Sequence, residues 1–553
     1  MKGVDAVARI LQQEGVEFLF SYPNNNLIDS AAAIGIRPII ARTEKTLLNM
    51  TDGFSRATNG KRLGVCVVQG GPGIENAYGG MAQAYADSIP LLLMPGGGDQ
   101  RNAYGPAEFD PLPTYEHASK WASRIVAANR IPEFMRRAFS MLRTNPTGPV
   151  LLELPRDVAA ADVDEASLNY TPARGNRAMG DPERVAEAVQ VLLNAKRPLL
   201  HVGHGVLWAE AWDELREFAE LVQAPVATTM AGKSAFPEDH PLSVGTCSST
   251  TTRAAAVALK GADVVFGIGC SFAKSNFAAT IPDGKTIVHI TANPNDIDKN
   301  YPSAVSVLGD AKLVLRQLID EVKKQTGDGG RAQDDALLAA IREAKEAGAQ
   351  EWQARRTSDE TPINPYRVMW DLMHTVDRKN TMITHDSGNP RDQLLTTWEA
   401  LIPRGYLGWG KSTQLGTGLG VALGAKLACP DRLVINVMGD LAFGTAGLEV
   451  ETGVRERIPI MTVLINNSRM GGYGHHMPAA SERYGANRLS GQYSAMAASL
   501  GAYSERIEQP GEVVAAIQRG IKATEAGQPV VLEFITKEEP VYPRTSAVLE
   551  SLG

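Results

Sequence analysis

The chain has 553 residues, too many for one hydrophobic core, and its length predicts roughly three or four domains. Composition is that of an ordinary globular protein, and a net charge of −7 without any basic stripe argues against nucleic acid or an anionic membrane surface as partner. Four scattered cysteines lack metal-ligand spacing, residues 1–13 lack a signal-peptide core, and no apolar run approaches bilayer length. These features argue against a disulfide framework, zinc and a membrane span, and predict a cytoplasmic protein.

Apolar runs alternate with helix-length amphipathic segments along the chain, which predicts an α/β fold of doubly wound, mostly parallel sheets. Breaks in that rhythm at residues 157–183 and 325–362 give three domains, placed at 1–165, 182–325 and 360–553. In the first, the strand-like Arg37-Pro38-Ile39-Ile40-Ala41 leads to Glu44, which opens a helix predicted from Lys45 to Thr58. A glutamate at a helix N-terminus is favoured by the macrodipole alone. Pro23-Asn24-Asn25-Asn26 reads as a loop, and Gln69 precedes the glycine turn Gly70-Gly71-Pro72-Gly73. The middle domain repeats strand-then-glycine at Leu199–Gly205 and again at residues 262–269, and a plain Rossmann-like sheet accounts for it without chemistry of its own.

The third domain carries the sharper signals. Asn389 follows Asp386-Ser387-Gly388, a turn in its own right, and Leu415 precedes Gly416-Thr417-Gly418. That glycine string lacks a preceding strand and a downstream acid, so it is read as close helix approach, not a dinucleotide fingerprint. Two apolar runs end in Gly439-Asp440 and Asn466-Asn467, with a helix predicted between them from Gly447 to about Arg457. Two neighbouring parallel strands would then deliver a carboxylate and an amide oxygen to one sheet edge, where open α/β sheets bind ligands. Hard oxygen donors in that number suit Mg²⁺, which completes its octahedron with phosphate and water. A capping Asp and an Asn turn are the plainer alternative. The interval from Gly71 to Ile89 matches that from Gly439 to Ile458 within one residue, as if the first and third domains were distant repeats.

In this order, Arg42-Thr43-Glu44, Gln69 to Gly73, residues 293–312 and Gly439-Asp440 to Asn466-Asn467 resemble the acetolactate synthase-like superfamily of thiamine diphosphate enzymes. That group also holds 2-oxo acid decarboxylases and 2-hydroxyacyl-CoA lyases. The resemblance implies a pyrimidine-binding, a middle and a diphosphate-binding domain, and Glu44 as the glutamate that hydrogen-bonds a pyrimidine nitrogen of thiamine diphosphate. It implies Mg²⁺ on Asp440, Asn467 and the backbone oxygen near Arg469. Gly439, Leu441, Ala442 and Asn389 would then lie against the diphosphate, and Leu415 would bend the cofactor. An ordinary core leucine is the alternative for Leu415. Asn25, Gln69, Asp110, His475 and His476 are the substrate-facing candidates by family position, although an exposed loop pair explains the histidines equally well. An acid at Asp110 is expected to disfavour a second anionic substrate.

The resemblance further implies a homodimer or homotetramer with active sites between subunits, acting on a 2-oxo acid or related carbonyl compound by decarboxylation or C–C cleavage, with or without carboligation. A simple 2-oxo acid decarboxylase and a 2-hydroxyacyl-CoA lyase are the alternatives within the class; a flavin or nicotinamide oxidoreductase is the alternative outside it. FAD or a nucleotide in the middle domain is left open, with no residue that demands it. The usual Gly-Asp-Gly reads Gly439-Asp440-Leu441 here, and the place of the acetolactate synthases' usual tryptophan falls near His475-His476.

Overall fold

All strand pairings within the sheets of the computed structural model, which describes residues 1–102 and 109–552, are parallel. Parallel neighbours need a crossover, and helices that make it cover both faces of the sheet. That is why strands such as Gly64–Val68 and Met461–Asn466 are buried along their whole length.

The first six-stranded sheet contains β1 (Phe18–Ser21), β2 (Arg37–Ile40), β3 (Gly64–Val68), β4 (Leu91–Gly97), β5 (Trp121–Arg124) and β6 (Val150–Pro155), in spatial order β2-β1-β3-β4-β6-β5. The second contains β7 (Pro198–Val202), β8 (Val226–Thr228), β9 (Ser243–Thr246), β10 (Val264–Ile268), β11 (Thr286–Thr291) and β12 (Val305–Leu308), in order β12-β11-β10-β7-β8-β9. The third contains β13 (Thr381–His385), β14 (Tyr406–Leu407), β15 (Leu433–Gly439), β16 (Met461–Asn466), β17 (Tyr503–Ile507) and β18 (Val530–Ile535), in order β14-β13-β15-β16-β18-β17. The third sheet therefore repeats the strand order of the first, and the middle one has the doubly wound order of a Rossmann sheet. The repeat read from the Gly71 and Gly439 turns is real at the level of topology: both follow the third strand of their sheet.

Glu44–Ala57 and Thr417–Ala428 are equivalent helices in the two related sheets, and they pack directly on each other. Glycine makes this possible. A Cβ on Gly424 would overlap the carbonyl oxygen of Met50, one on Gly53 that of Val421, and one on Gly420 would lie 2.5 Å from the Cβ of Asn49. The glycine string after Leu415 thus serves close helix approach. Beside this contact Arg56 is buried, pairs with Asp52 at 2.8 Å and Asp87 at 3.1 Å, and donates to the carbonyl of Gly408 at 2.8 Å. The first and third domains of one chain are thereby joined by an apolar seam and a buried guanidinium.

One expected element differs in detail. The helix expected from Gly447 begins instead at Asp440, runs to Ala446, tightens into a 3₁₀ turn at Gly447–Glu449 and resumes at Val450–Glu456. A carboxylate at the first position favours that early start. The segment 325–362 is largely a single helix, Asp335–Arg356, in which only Ile341 is buried. Among the described residues no helix is long and apolar enough to cross a membrane.

Gly424→Ala should force backbone apart where the two helices cross, costing ~1–3 kcal/mol by overpacking. Gly511→Ala, where an added Cβ meets nothing within 4 Å, should be neutral. Calorimetric melting of both variants checks this, and equal transitions would contradict the packing account.

Candidate active site

At the carboxyl edge of the third sheet, β15 and β16 run in register with Gly439 opposite Ile465, so Asp440 and Asn467 leave neighbouring strands side by side. Asp440 is 3% exposed. Its Oδ1 accepts from the Leu441 N–H at 2.8 Å, and its Oδ2 is buried without a hydrogen-bond partner. Burial pushes the Asp440 carboxyl up to about 6, opposed by the N–H groups of Leu441 and, at longer range, Ser468 and Arg469. Asn467 Oδ1 accepts from the Arg469 N–H at 3.0 Å across a turn in which Ser468 has φ +54°. Its second lone pair is left for another partner. Arg469 itself is exposed, and Glu538 anchors the following loop by accepting from the Gly472 N–H at 3.0 Å.

These groups line a cleft of about 300 Å³ together with Gly439, Leu441, Ala442, Asn389 and Leu415. Asn389 opens the helix Asn389–Thr397. Leu415 is held there by its neighbours. Asp386, fully buried at the end of β13, accepts from Gly416 N–H at 2.9 Å and Gly418 N–H at 2.8 Å, and Lys45 donates to the Leu415 carbonyl. Gly416 has φ +86°, a conformation costly for any side chain, and a Cβ there would meet Thr445 and Ala446. Burial raises the Asp386 carboxyl to about 6, against the pull of those N–H groups and of Lys45.

The candidates of the first domain gather elsewhere. Glu44 is 7% exposed and is the first residue of its helix, whose cap is Thr43. Its Oε1 faces the glycine turn, 3.7 Å from where a Cβ on Gly73 would stand. Asn25, Gln69 and Asp110 line one cleft of about 630 Å³ at the edge of the first sheet, with Gly71, Phe109 and Arg124. Asn25 is occupied in part by structure: its amide donates to the Val68 carbonyl at 3.0 Å and accepts from Leu27 N–H at 3.0 Å. Asp110 caps the helix Pro111–Tyr115 and pairs with Arg124 at 3.2 Å. Arg124 also pairs with Glu153, so a single guanidinium faces two carboxylates in this cleft.

His475 and His476 are not brought to either cleft. Both are exposed, with ring centroids 3.9 Å apart, while Tyr473 lines the diphosphate-side cleft in their place. A separate hollow of about 510 Å³, lined among others by Gly205, Gly269, Asn293 and Lys299, opens beside the middle sheet. Sequence reasoning passed over Asp386, Lys45 and Glu449. The first read as part of a turn and the second only as the start of a helix; nothing in the pattern marks Glu449.

Comparison with known proteins places this geometry. Residues 1–114 match the N-terminal TPP binding domain of thiamine pyrophosphate enzymes, 185–318 the central domain, and 386–534 the C-terminal TPP binding domain. The chain belongs to the thiamine pyrophosphate enzymes. Across 98% of its length this thiamine pyrophosphate enzyme is 31% identical to a probable acetolactate synthase large subunit of Methanocaldococcus jannaschii, covering 93% of that protein. It is 29% identical over 97% of its length to a glyoxylate carboligase of Escherichia coli O157:H7, covering 93% of it, and 28% identical over 85% to an acetolactate synthase large subunit of Haemophilus influenzae, covering 83%. The cofactor is thus thiamine diphosphate, and the enzyme is acetolactate synthase-like.

The residues present fit magnesium as well. Among the described residues no three His, Cys, Asp or Glu gather around a point. One orphaned Asp oxygen and one amide oxygen suit a cation that completes its shell with diphosphate oxygens and water. Asp440→Ala should therefore weaken Mg²⁺ binding in the presence of thiamine diphosphate by more than about tenfold. Titration with Mn²⁺ as a paramagnetic substitute measures it, and unchanged affinity would remove Asp440 from the metal.

Proposed function

We propose that this thiamine pyrophosphate enzyme acts on a 2-oxo acid, releasing carbon dioxide or cleaving a C–C bond and joining the remaining fragment to a second carbonyl compound. The observation that carries the reading is the bare Asp440 oxygen beside Asn467, at a sheet edge whose cleft also holds Leu415. Bound thiamine diphosphate supplies the nucleophile and the electron sink. Asp440, Asn467 and the Arg469 carbonyl would hold Mg²⁺ and, through it, the diphosphate. Leu415, fixed by Asp386 and Lys45, would keep the two rings of the cofactor close, a proximity effect. Glu44 would hold a proton at the pyrimidine nitrogen and so set which tautomer faces the reacting carbon. The names of the relatives support carboligation over simple decarboxylation.

The same reading assigns each active site to two subunits. The described residues lining the diphosphate-side cleft all follow position 276, so none comes from the first domain. Glu44 of a second copy would close it, in a homodimer or a homotetramer.

Incubation with pyruvate, glyoxylate and larger 2-oxo acids, with thiamine diphosphate and Mg²⁺ added or withheld, tests the activity. Carbon dioxide with acetolactate or another ligation product is expected, whereas free aldehyde alone would indicate a simple decarboxylase. Glu44→Gln should abolish turnover and leave cofactor binding in place; unchanged turnover would discard the proposed role.

A complementation assay tests the shared site. Glu44→Gln and Asp440→Ala subunits should each be inactive alone, and random pairing after subunit exchange should restore roughly a quarter of the wild-type activity. No recovery from demonstrated hybrids would place both residues in one subunit's site.

A further inference from the structure

Glu449 lies in the 3₁₀ turn that ends the short helical excursion begun by Asp440, and it is 1% exposed. Its carboxylate does not face its own domain's cleft. It reaches across the seam between the first and third domains and takes the main chain just before Glu44. Oε1 accepts from the Thr43 N–H at 2.9 Å, the Arg42 N–H at 3.1 Å and the Thr43 hydroxyl at 3.2 Å. Oε2 shares the Arg42 N–H at 3.1 Å and accepts from the Thr452 hydroxyl at 2.8 Å. Every donor except Thr452 belongs to the turn between β2 and the Glu44 helix. Burying a carboxylate is costly unless such donors compensate it. Burial does raise this carboxyl, and the Thr452 and Thr43 hydroxyls and the Arg42 and Thr43 N–H groups pull it back.

A neutral serine or asparagine could cap the same turn without that desolvation cost. A carboxylate gripping two consecutive N–H groups does something more: it fixes the 41–42 and 42–43 peptide planes, the two that precede the peptide joining Thr43 to Glu44. On the other side of Glu44, Lys45 is tied to the Leu415 carbonyl. The glutamate thus sits between two clamps, each reaching into the third domain of its own chain.

We infer that Glu449 is a positioning residue for Glu44, setting the direction in which the Glu44 carboxylate reaches the cofactor. The inference rests on the proposed role of Glu44. The experiment follows exchange of the thiazolium carbon's hydrogen with deuterium in bound thiamine diphosphate, by acid quench and NMR, without substrate. It uses full-length enzyme saturated with thiamine diphosphate and Mg²⁺. Glu449→Gln should slow exchange about tenfold or more, since small misplacements of a reacting group cost that much. Cofactor affinity should stay within about threefold, because the diphosphate and metal ligands are untouched.

Should Glu449→Gln fail to fold, Thr43→Ala removes the hydroxyl that bonds both Glu449 and the helix cap. Exchange should slow in it and recover in Thr43→Ser. Exchange within about twofold of wild type in folded Glu449→Gln or Thr43→Ala, while Glu44→Gln abolishes it, overturns the inference alone. Undiminished exchange in Glu44→Gln overturns the role of Glu44 and this inference with it.

Discussion

Two equivalent helices from two related sheets cross at backbone distance, and the arrangement of functional residues depends on that crossing. Gly53, Gly420 and Gly424 leave no room for a methyl group between the Glu44 helix and the Thr417 helix. The helices follow the same strand in each sheet, and the crossing brings both helix N-termini to the seam. There Lys45 meets Leu415 and Glu449 meets Thr43. With wider packing, neither clamp would reach. The buried Arg56, whose charge is met by Asp52 and Asp87 of its own domain, adds a hydrogen bond across the same seam to the Gly408 carbonyl.

Three buried carboxylates mark the third domain's side of the site, and each is placed by strand or helix geometry at a different task. Asp386 ends β13 and gathers the N–H groups after Leu415. Asp440 opens a helix and keeps one oxygen unpaired. Glu449 closes the same helical excursion and holds the turn before Glu44. All three are pushed upward by burial and drawn back by hydrogen-bond donors, so their anionic forms are balanced rather than freely solvated. Of the three, only Asp440 has a buried oxygen without a hydrogen-bond partner.

The strand ends were legible because their chemistry is local. Asp440 and Asn467 each end an apolar run, and a parallel sheet carries such ends to one edge. Glu44 was legible as a helix start, and the glycine string after Leu415 as a close packing surface, since no strand led into it. The weaker candidates depended on loops. Asp110 shares Arg124 with Glu153 and caps a helix, Asn25 bonds two backbones, and the His475-His476 pair turns outward. A loop residue's environment is set by what packs against it from distant sequence, which periodicity does not carry.

By itself the sequence determined the element types, the repeated α/β units and the two strand ends that bear oxygen donors, because hydrophobic period and turn chemistry act over a few residues. Tertiary structure alone decided which carboxylate is left unpaired, that Glu449 lies against Thr43 across about four hundred positions of chain, and that the first domain lends no described residue to the diphosphate-side cleft. Those facts arise from contacts between surfaces brought together by folding, where burial, not residue type, sets whether a polar group finds a partner.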